Sequence, residues 1–332
     1  MRNILILFIS IISFLACNGS VKGDSKKQIA NDITILRFDK DLRNYLQNPI
    51  LENKNNLIKK YPSLLPAFGQ ITVGKMIEND TIKFFDALSG YFAHPVLERI
   101  YEDEIQKFSD ISSFENILSD AYTSVREIFP EKRFPKFAIH MSGFKENVIV
   151  VDGIISLSAD KYLGRDYPLY EQYFSPTERS QMNPAMMPRD YLKAWIITEN
   201  IVKTDKKLNL LTSIIEEGKA LYFLDKIAST YKSEELIGYT QEQMIWCETN
   251  IKYIWKETQK SNRLLSADKQ LISRYVEEAP VSKNILPDAP DRVGCWLGWK
   301  IVEEYASQTG KSVQEVLVAD AQTILKQSKF KP

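Results

Sequence analysis

The chain opens with an apolar segment that decides on which side of a membrane the rest can fold. Met1-Arg2-Asn3 gives a short positive start, and the run from Ile4 to Leu15 is apolar except at Ser10 and Ser13. A membrane-spanning helix needs about 20 apolar residues, so this run has the length of a signal peptide rather than that of a comfortable membrane span. The rest of the chain is therefore predicted to leave the cytoplasm.

The apolar run ends in a cysteine. Phe14-Leu15-Ala16-Cys17 places a small residue directly before Cys17, an order that resembles the lipobox of bacterial lipoproteins, although Phe14 stands where leucine is usual. The resemblance implies a signal peptide over residues 1–16, acylation of the Cys17 thiol and cleavage before it. Each buried acyl methylene adds about 0.8 kcal/mol, so several chains make a stable anchor. The alternatives are an ordinary secretory signal with a chance cysteine and a retained anchor helix.

Residues 17–31 are expected to form a flexible tether after the acylated cysteine. They are rich in Gly, Ser, Lys and Asp and have no apolar periodicity. One folded domain is predicted over residues 32–332, because no repeat, low-complexity tract or Pro/Gly-rich linker interrupts them. With 44% hydrophobic and 11% aromatic residues, the chain can bury a sizeable core.

Charge and cysteine content restrict the possible partners and covalent links. Lys plus Arg and Asp plus Glu number 43 each, so no broad basic surface for nucleic acid is predicted. Besides Cys17, the sequence contains Cys247 and Cys295. In an oxidising compartment these two could form a disulfide, but two buried thiols fit the sequence equally well.

Helical patterns dominate the folded part. Ser112–Glu115, Thr240–Gln243 and Ser312–Glu315 fit the capping box, in which two side chains satisfy the free amides at a helix start. Together with apolar residues at helical spacing, these signals predict helices over residues 41–60, 80–107, 113–128, 188–203, 208–231, 241–258, 294–308 and 313–327.

Strand-like segments are few. Residues 136–141 and 147–151 flank a short turn around Gly143, residues 153–158 follow, and residues 33–38 also have strand character. The predicted fold class is therefore α+β, predominantly helical, with a small mixed β-sheet. The stretch from Ser156 to Pro168 is dense in side chains that can bind or cap.

The motifs of common enzyme classes are missing from the sequence. His94 and His140 lie outside any H-E-x-x-H frame, and the sequence has no G-x-S-x-G, Walker or G-x-G-x-x-G motif. We interpret His140, beside Met141 in an apolar strand, as a hydrogen-bonded core histidine, and His94, before Pro95, as a turn residue. No cofactor is expected apart from the lipid on Cys17.

Glycines interrupt two of the predicted helices. Gly218 lies inside one, and Gly294 and Gly298 lie four residues apart in another, hence on one helical face. A helical glycine costs about 1 kcal/mol relative to alanine, so it usually permits close packing. The pattern predicts a tight helix crossing, with a binding site as the alternative.

Several dissimilar motifs occur together between about residue 130 and the C-terminus. They are Tyr162-Leu163-Gly164-Arg165-Asp166, Glu217–Phe223, Ile237–Thr240, Gln243–Cys247, Arg292–Trp299 and Ser328–Pro332. In this order, and with the lipobox, the chain resembles the gliding motility lipoproteins of the Bacteroidetes known as GldB, whereas residues 18–130 match only in general character.

The resemblance implies a function in the cell envelope. A lipoprotein of this family is expected to support gliding motility and the linked type IX secretion machinery, with the membrane and other envelope gliding or secretion proteins as partners. Residues 18–24 lack the acidic cluster associated with surface export in that phylum, so a periplasm-facing position is expected.

The C-terminal half also resembles zinc peptidases of the zincin type, in which one helix carries H-E-x-x-H and a later helix supplies a Glu before a Gly. Glu217-Gly218 matches the second feature, but residues 191–200, in the place of the first, contain no histidine. Two of three protein ligands for zinc are thus lost. The resemblance implies a zincin-like domain without metal, a pseudoenzyme whose vestigial cleft is marked by Glu199, Glu217, Tyr222 and Arg292.

Two functions are compatible with these observations. The favoured one is a non-enzymatic scaffold or assembly factor, whose former cleft binds a partner or is packed shut. The alternative is an envelope hydrolase or peptidase that uses a residual carboxylate site among Glu199, Glu216 and Glu217. Glu216 and Glu217 lie about 100° apart around their helix, so both cannot point inward.

Overall fold

The computed structural model describes residues 33–332 except 76, 78, 79, 204, 206, 207, 278–285 and 287. The predicted signal peptide, the acylation site Cys17 and the tether lie outside the described residues. Six helices precede the central strands in the described sequence: α1 Phe38–Gln47, α2 Leu51–Lys60, α3 Leu64–Val73, α4 Thr81–Phe92, α5 Pro95–Lys107 and α6 Ser112–Ile128.

After the last strand, the described residues form helices joined by short connections, without a further strand. The α-helices are α7 Tyr170–Tyr173, α8 Pro176–Gln181, α9 Met187–Thr198, α10 Leu210–Ile227, α11 Ser233–Ile237, α12 Gln241–Thr249, α13 Ile251–Gln259, α14 Lys269–Val276, α15 Val293–Thr309, α16 Val313–Val318 and α17 Ala321–Ser328.

The segments 41–60 and 80–107, which are predicted to be helical, are helical, but a proline divides each of them into two helices. Residues 41–60 form α1 and α2 on either side of Pro49, and residues 80–107 form α4 and α5, with Pro95 as the first residue of α5. Proline disfavours the helical conformation in the residue before it. His94, which precedes Pro95, has an extended backbone instead. Its Nδ1 accepts a hydrogen bond from the Val96 amide at 3.3 Å. The interpretation of His94 as a turn residue is confirmed.

Two further predicted helices are also divided. Residues 241–258 break at Asn250, and residues 313–327 break before Asp320. Asp320 has an extended backbone, and its Oδ1 accepts from the Thr323 amide at 2.8 Å, which starts α17. A side chain that caps a helix start thus outweighs the continuous apolar pattern.

Two of the three predicted capping boxes are confirmed. Thr240 and Ser312 each cap a helix reciprocally with the residue three positions on. The box at Ser112 is wrong, because the Oε1 atom of Glu115 accepts instead from the Ile35 amide at 2.9 Å. Glu115 therefore ties α6 to the first strand.

Within the described residues, four strands form one mixed sheet in the order β1-β2-β4-β3. They are β1 Ile35–Arg37, β2 Lys136–His140, β3 Val148–Val151 and β4 Ile154–Ser158. β1, β2 and β4 are parallel, and β3 pairs antiparallel with β4. The predicted α+β class, predominantly helical with a small mixed sheet, is confirmed.

The hairpin in this sheet is formed at Asp152-Gly153. Both residues have positive φ, at 42° and 70°, as a two-residue type I′ turn requires. The turn makes β3 and β4 neighbours, and β4 also pairs with β2. The two segments that flank Gly143, β2 and β3, are therefore not neighbours in the sheet. β2 ends in His140, which is fully buried, with Nδ1 at 2.8 Å from the Ser156 hydroxyl. The interpretation as a core histidine is confirmed.

Candidate functional site

The motif segments of the C-terminal half meet where α10 crosses α15. A Cβ atom built on Gly218 would lie 2.2 Å from the carbonyl carbon of Gly298, and one built on Gly298 would lie 1.7 Å from the carbonyl oxygen of Ile214. The two helix backbones therefore touch, which only residues without a Cβ permit. The predicted tight helix crossing is confirmed.

Arg292 lies at the start of α15 in a left-handed conformation, with φ 59°. Its Nη1 donates to the Ile237 carbonyl at 2.9 Å, Arg189 Nη1 donates to the Glu235 carbonyl at 2.7 Å, and Gln181 Nε2 donates to the Gly238 carbonyl. The last carbonyls of a helix have no partner within it, and cations near this end are favourable. Two arginines and an amide thus complete the end of α11.

A small cavity lies beside this helix end. It has a volume of about 30 Å³ and is lined by Ser180, Gln181, Ile237, Gly238, Tyr239, Gln243, Asp291 and Arg292. The Tyr239 hydroxyl donates to the Asp291 carbonyl at 2.7 Å, which joins two of the motifs. A space of this size holds about one water molecule rather than a substrate.

Glu217 and Arg292, two of the predicted cleft residues, both lie near Cys295. The Cys295 sulfur is 3.9 Å from Oε2 of Glu217. Burial raises the pKa of the Cys295 thiol to about 12; Arg292 lowers it and Glu217 adds to the rise. Burial raises the pKa of Cys247 similarly, to about 12. Both cysteines are free and buried, and such thiols stay protonated at neutral pH.

The other two predicted cleft residues contact different parts of the molecule. Glu199 follows the last turn of α9, and its Oε2 is 2.9 Å from Nζ of Lys132. Tyr222 is buried on α10, with Nζ of Lys226 5.0 Å from the centre of its ring. The structure thus places Glu217 and Arg292 at one thiol, whereas Glu199 and Tyr222 pair with lysines elsewhere.

Lys219 follows Gly218, the glycine at which α10 contacts α15, and its side chain is also buried, with 1% exposure. Its Nζ donates to the Ala319 carbonyl at 2.5 Å, and Asp205, Glu216 and Asp320 lie near its charge. Burial lowers the pKa of Lys219, while the carboxylates oppose that shift. This lysine fastens α10 to the turn between α16 and α17.

A buried polar cluster lies at the carboxyl ends of the parallel strands, where open α/β sheets commonly bind ligands. It contains Arg37 at the end of β1, Asp39 in the first turn of α1, Asp160 just after β4 and Glu104 on α5. The three acids are 0% exposed. Only Asp160 falls in a stretch that the sequence singled out; Arg37 and Asp39 carry the weaker signal of charges that directly follow a strand.

Asp160 has a full set of hydrogen bonds. Its Oδ2 accepts from the Phe144 amide at 2.6 Å, and its Oδ1 accepts from the Ser142 amide at 3.4 Å and from the Ser158 hydroxyl. Burial raises the pKa of Asp160, and these hydrogen bonds oppose the rise. Asp160 thereby holds the Gly143 turn over the sheet edge.

An apolar groove of about 260 Å³ opens beside that turn. We call it the aromatic groove; it is lined by Val96, Leu97, Ile100, Gly143, Phe144, Tyr173 and Phe174. Phe144 has φ 65°, which is an outlier for a bulky residue. Gly143 also has positive φ, and a Cβ atom there would lie 2.5 Å from the Tyr91 hydroxyl.

Within the described ranges, no group of three or more His, Cys, Asp or Glu side chains is placed to hold a metal ion. None of the helices in that part of the chain is both long and apolar enough to cross a membrane.

The molecule is thus a predominantly helical α+β protein whose motif residues build a glycine helix crossing and complete helix ends. Comparison with protein families gives a narrower assignment. The sequence model of the family described as gliding motility protein GldB matches residues 19–332, so the chain belongs to this family of gliding motility lipoproteins. The resemblance seen in the motifs is confirmed and extends further towards the N-terminus. No curated protein and no solved structure matches the chain.

Proposed function

We propose that the protein is a lipid-anchored, non-enzymatic component of the cell envelope that supports gliding motility as a scaffold or assembly factor. Family membership supports the motility role, and the signal-like start with Cys17 supports the anchor. The domain would face the periplasm on its tether. Its partners would be other envelope proteins of gliding and type IX secretion rather than nucleic acid.

The observation that carries the proposal is the use of motif residues in contacts within the chain. Gly218 and Gly298 bring two helix backbones together. Arg292 donates to the Ile237 carbonyl, and Lys219 donates to the Ala319 carbonyl. Donors engaged in this way determine the shape of the domain, as expected if shape is what a partner recognises.

We also propose that the domain derives from a zinc peptidase of the zincin type. In that view a former catalytic cleft has lost its metal, and its carboxylates have taken other contacts. Glu217 lies against the Cys295 thiol, and Glu199 forms an ion pair with Lys132. These contacts support a domain that works without a cofactor.

Complementation of a strain that lacks this protein tests the proposal. We expect the double variant Glu199→Gln/Glu217→Gln to restore gliding as well as the wild-type chain, because neither carboxylate would perform chemistry. Gly298→Leu provides the matched control: it forces α10 and α15 apart, so we expect loss of the folded protein and of gliding together.

Two results would contradict the scaffold function and favour the function of an envelope hydrolase. One is a double variant that accumulates normally in the membrane fraction but does not restore gliding. The other is stoichiometric zinc in the purified wild-type chain together with cleavage of peptides, both lost in the double variant.

A further inference from the structure

Glu104 on α5 has a buried carboxyl group to which no described N–H or O–H group donates a hydrogen bond. Its exposure is 0%, and both Oε1 and Oε2 lack such a donor among the described residues. An ionised carboxylate in this position would be strongly destabilising, because a charge removed from water needs a partner. A neutral carboxyl group also carries a hydrogen that it can donate.

The guanidinium of Arg37, whose charge acts on Glu104, is already engaged in other hydrogen bonds. Arg37 donates from Nε and Nη2 to Asp39, with Nη2 at 2.5 Å from Oδ2, and from Nη1 to the Phe108 carbonyl at 2.6 Å. Its hydrogen bonds therefore hold Asp39 and the end of α5. Asp39 also lies against α5, because its backbone carbonyl accepts from the Tyr101 hydroxyl at 2.8 Å. Its carboxyl group is within hydrogen-bonding reach of Glu104 and can accept the proton of that acid.

The other groups around Glu104 do not supply a positive charge for it. Asp160 faces it from the end of β4, Tyr191 from α9 and Tyr101 from its own helix. Arg43, over the Tyr101 ring, pairs with Glu98 and Glu102. Burial, followed by the negative charge of Asp39, holds the pKa of Glu104 well above its ordinary value, and Arg37 only partly opposes this.

We propose that Glu104 carries a proton at neutral pH and shares it with Asp39, and that this shared proton fastens α5 to the carboxyl end of the sheet. Loss of the proton would leave two adjacent buried carboxylates, of which only Asp39 is hydrogen-bonded to the Arg37 guanidinium. Helix α5 also supplies Val96, Leu97 and Ile100 to the aromatic groove. Release of α5 therefore changes a wall of that groove, which makes the groove a pH-sensitive surface.

The proton on Glu104 determines how the stability of the protein changes with pH. Above pH about 4.5 the unfolded chain has released this proton, whereas the folded protein keeps it. The contribution of Glu104 to stability therefore decreases as pH rises towards the pKa of Glu104 in the folded protein. Glu104→Gln is neutral at every pH and can still donate to Asp39. Between pH about 4.5 and the pKa of Glu104 in the folded protein, we expect the ratio of the folding constant of Glu104→Gln to that of the wild-type chain to rise about tenfold per pH unit.

Three measurements on the full chain with Cys17→Ser test the proposal. Infrared spectra at neutral pH should show the carbonyl stretch of a protonated carboxylic acid, shifted by labelling of glutamate and lost in Glu104→Gln. Denaturant titrations should give the pH-dependent gain. Hydrogen exchange of α5 amides, relative to those of α10, should accelerate at alkaline pH in the wild-type chain but not in Glu104→Gln.

Glu102→Gln is the matched control, because it removes an acid from the same helix on the solvent side, where the side chain is 64% exposed. It should leave the infrared band and the pH profile unchanged. An absent band in the labelled wild-type chain would overturn the proposal even if Glu104→Gln fails to fold. A Glu104→Gln effect of equal size at all pH values would also overturn it, since that result means an ionised or merely structural glutamate.

Discussion

Gly298 on α15 stands so close to Ile214 on α10 that a Cβ atom added to Gly298 would lie 1.7 Å from the Ile214 carbonyl oxygen. The obstacle is backbone, so no side-chain rotation can relieve it, and the helices must separate. We therefore expect Gly298→Ala to lower the free energy of unfolding by about 3 kcal/mol or more. Urea titration of the purified chain measures this change.

Gly90→Ala is the control for this prediction. Gly90 lies within α4, and nothing is within 4 Å of an added Cβ atom. This substitution should leave stability unchanged or raise it by up to about 1 kcal/mol, because alanine restricts the unfolded chain. Similar losses at both positions would show that the crossing tolerates a side chain.

The helix crossing could be predicted from the sequence because its cause is local. Gly294 and Gly298 repeat at helical spacing, and Gly218 lies in the interior of another predicted helix. Each helix therefore shows in its own sequence the small residue that permits close approach. The divided helices were harder to predict. At Asp320 the break depends on a side chain that caps the next helix, which competes with an unbroken apolar pattern. At Asn250 the helix breaks without such a side-chain cap.

The buried acid cluster could not be predicted from the sequence, because its members come from distant segments. Glu104 occupies the buried face of α5 together with Ile100 and Tyr101, but on its own it resembles an ordinary surface acid on an amphipathic helix. Only the strand order places Asp39 and Asp160 beside it. A charged residue at an apolar helix position is the signal that could have indicated the site.

The buried side chain of Lys219 is expected to contribute to the stability of the fold. Its ammonium is buried and donates to the Ala319 carbonyl among three carboxylates. We expect Lys219→Met to cost about 2 kcal/mol of unfolding free energy, since hydrogen bonds to charged groups contribute about 1.5–3 kcal/mol. Lys226→Met on the same helix is the control, because its side chain is 41% exposed and should cost less than about 1 kcal/mol. Equal costs would argue against a special role for Lys219.

If Cys17 carries a lipid anchor, the protein is expected in the membrane fraction of the cell. Cys17→Ser removes the thiol that would carry the acyl chains, so we expect the variant to move from the membrane fraction to the soluble envelope fraction and to lose incorporation of labelled fatty acid. Cys247→Ser, which changes a cysteine outside the lipobox, should stay with the membrane. A Cys17→Ser chain that remains membrane-bound would favour the retained anchor helix.

His140 predicts a loss of stability in acid. Burial lowers the pKa of His140 from 6.5 to about 3, so between these values the unfolded chain binds a proton that the folded chain excludes. Stability should fall as pH decreases through 6.5, by about 1.4 kcal/mol per pH unit from this site. His140→Asn cannot titrate, so the unfolding free energy of the wild-type chain relative to this variant should decrease over that window. The buried acids act in the opposite direction in both proteins and cancel in the difference. Parallel pH profiles would show that His140 is protonated within the fold.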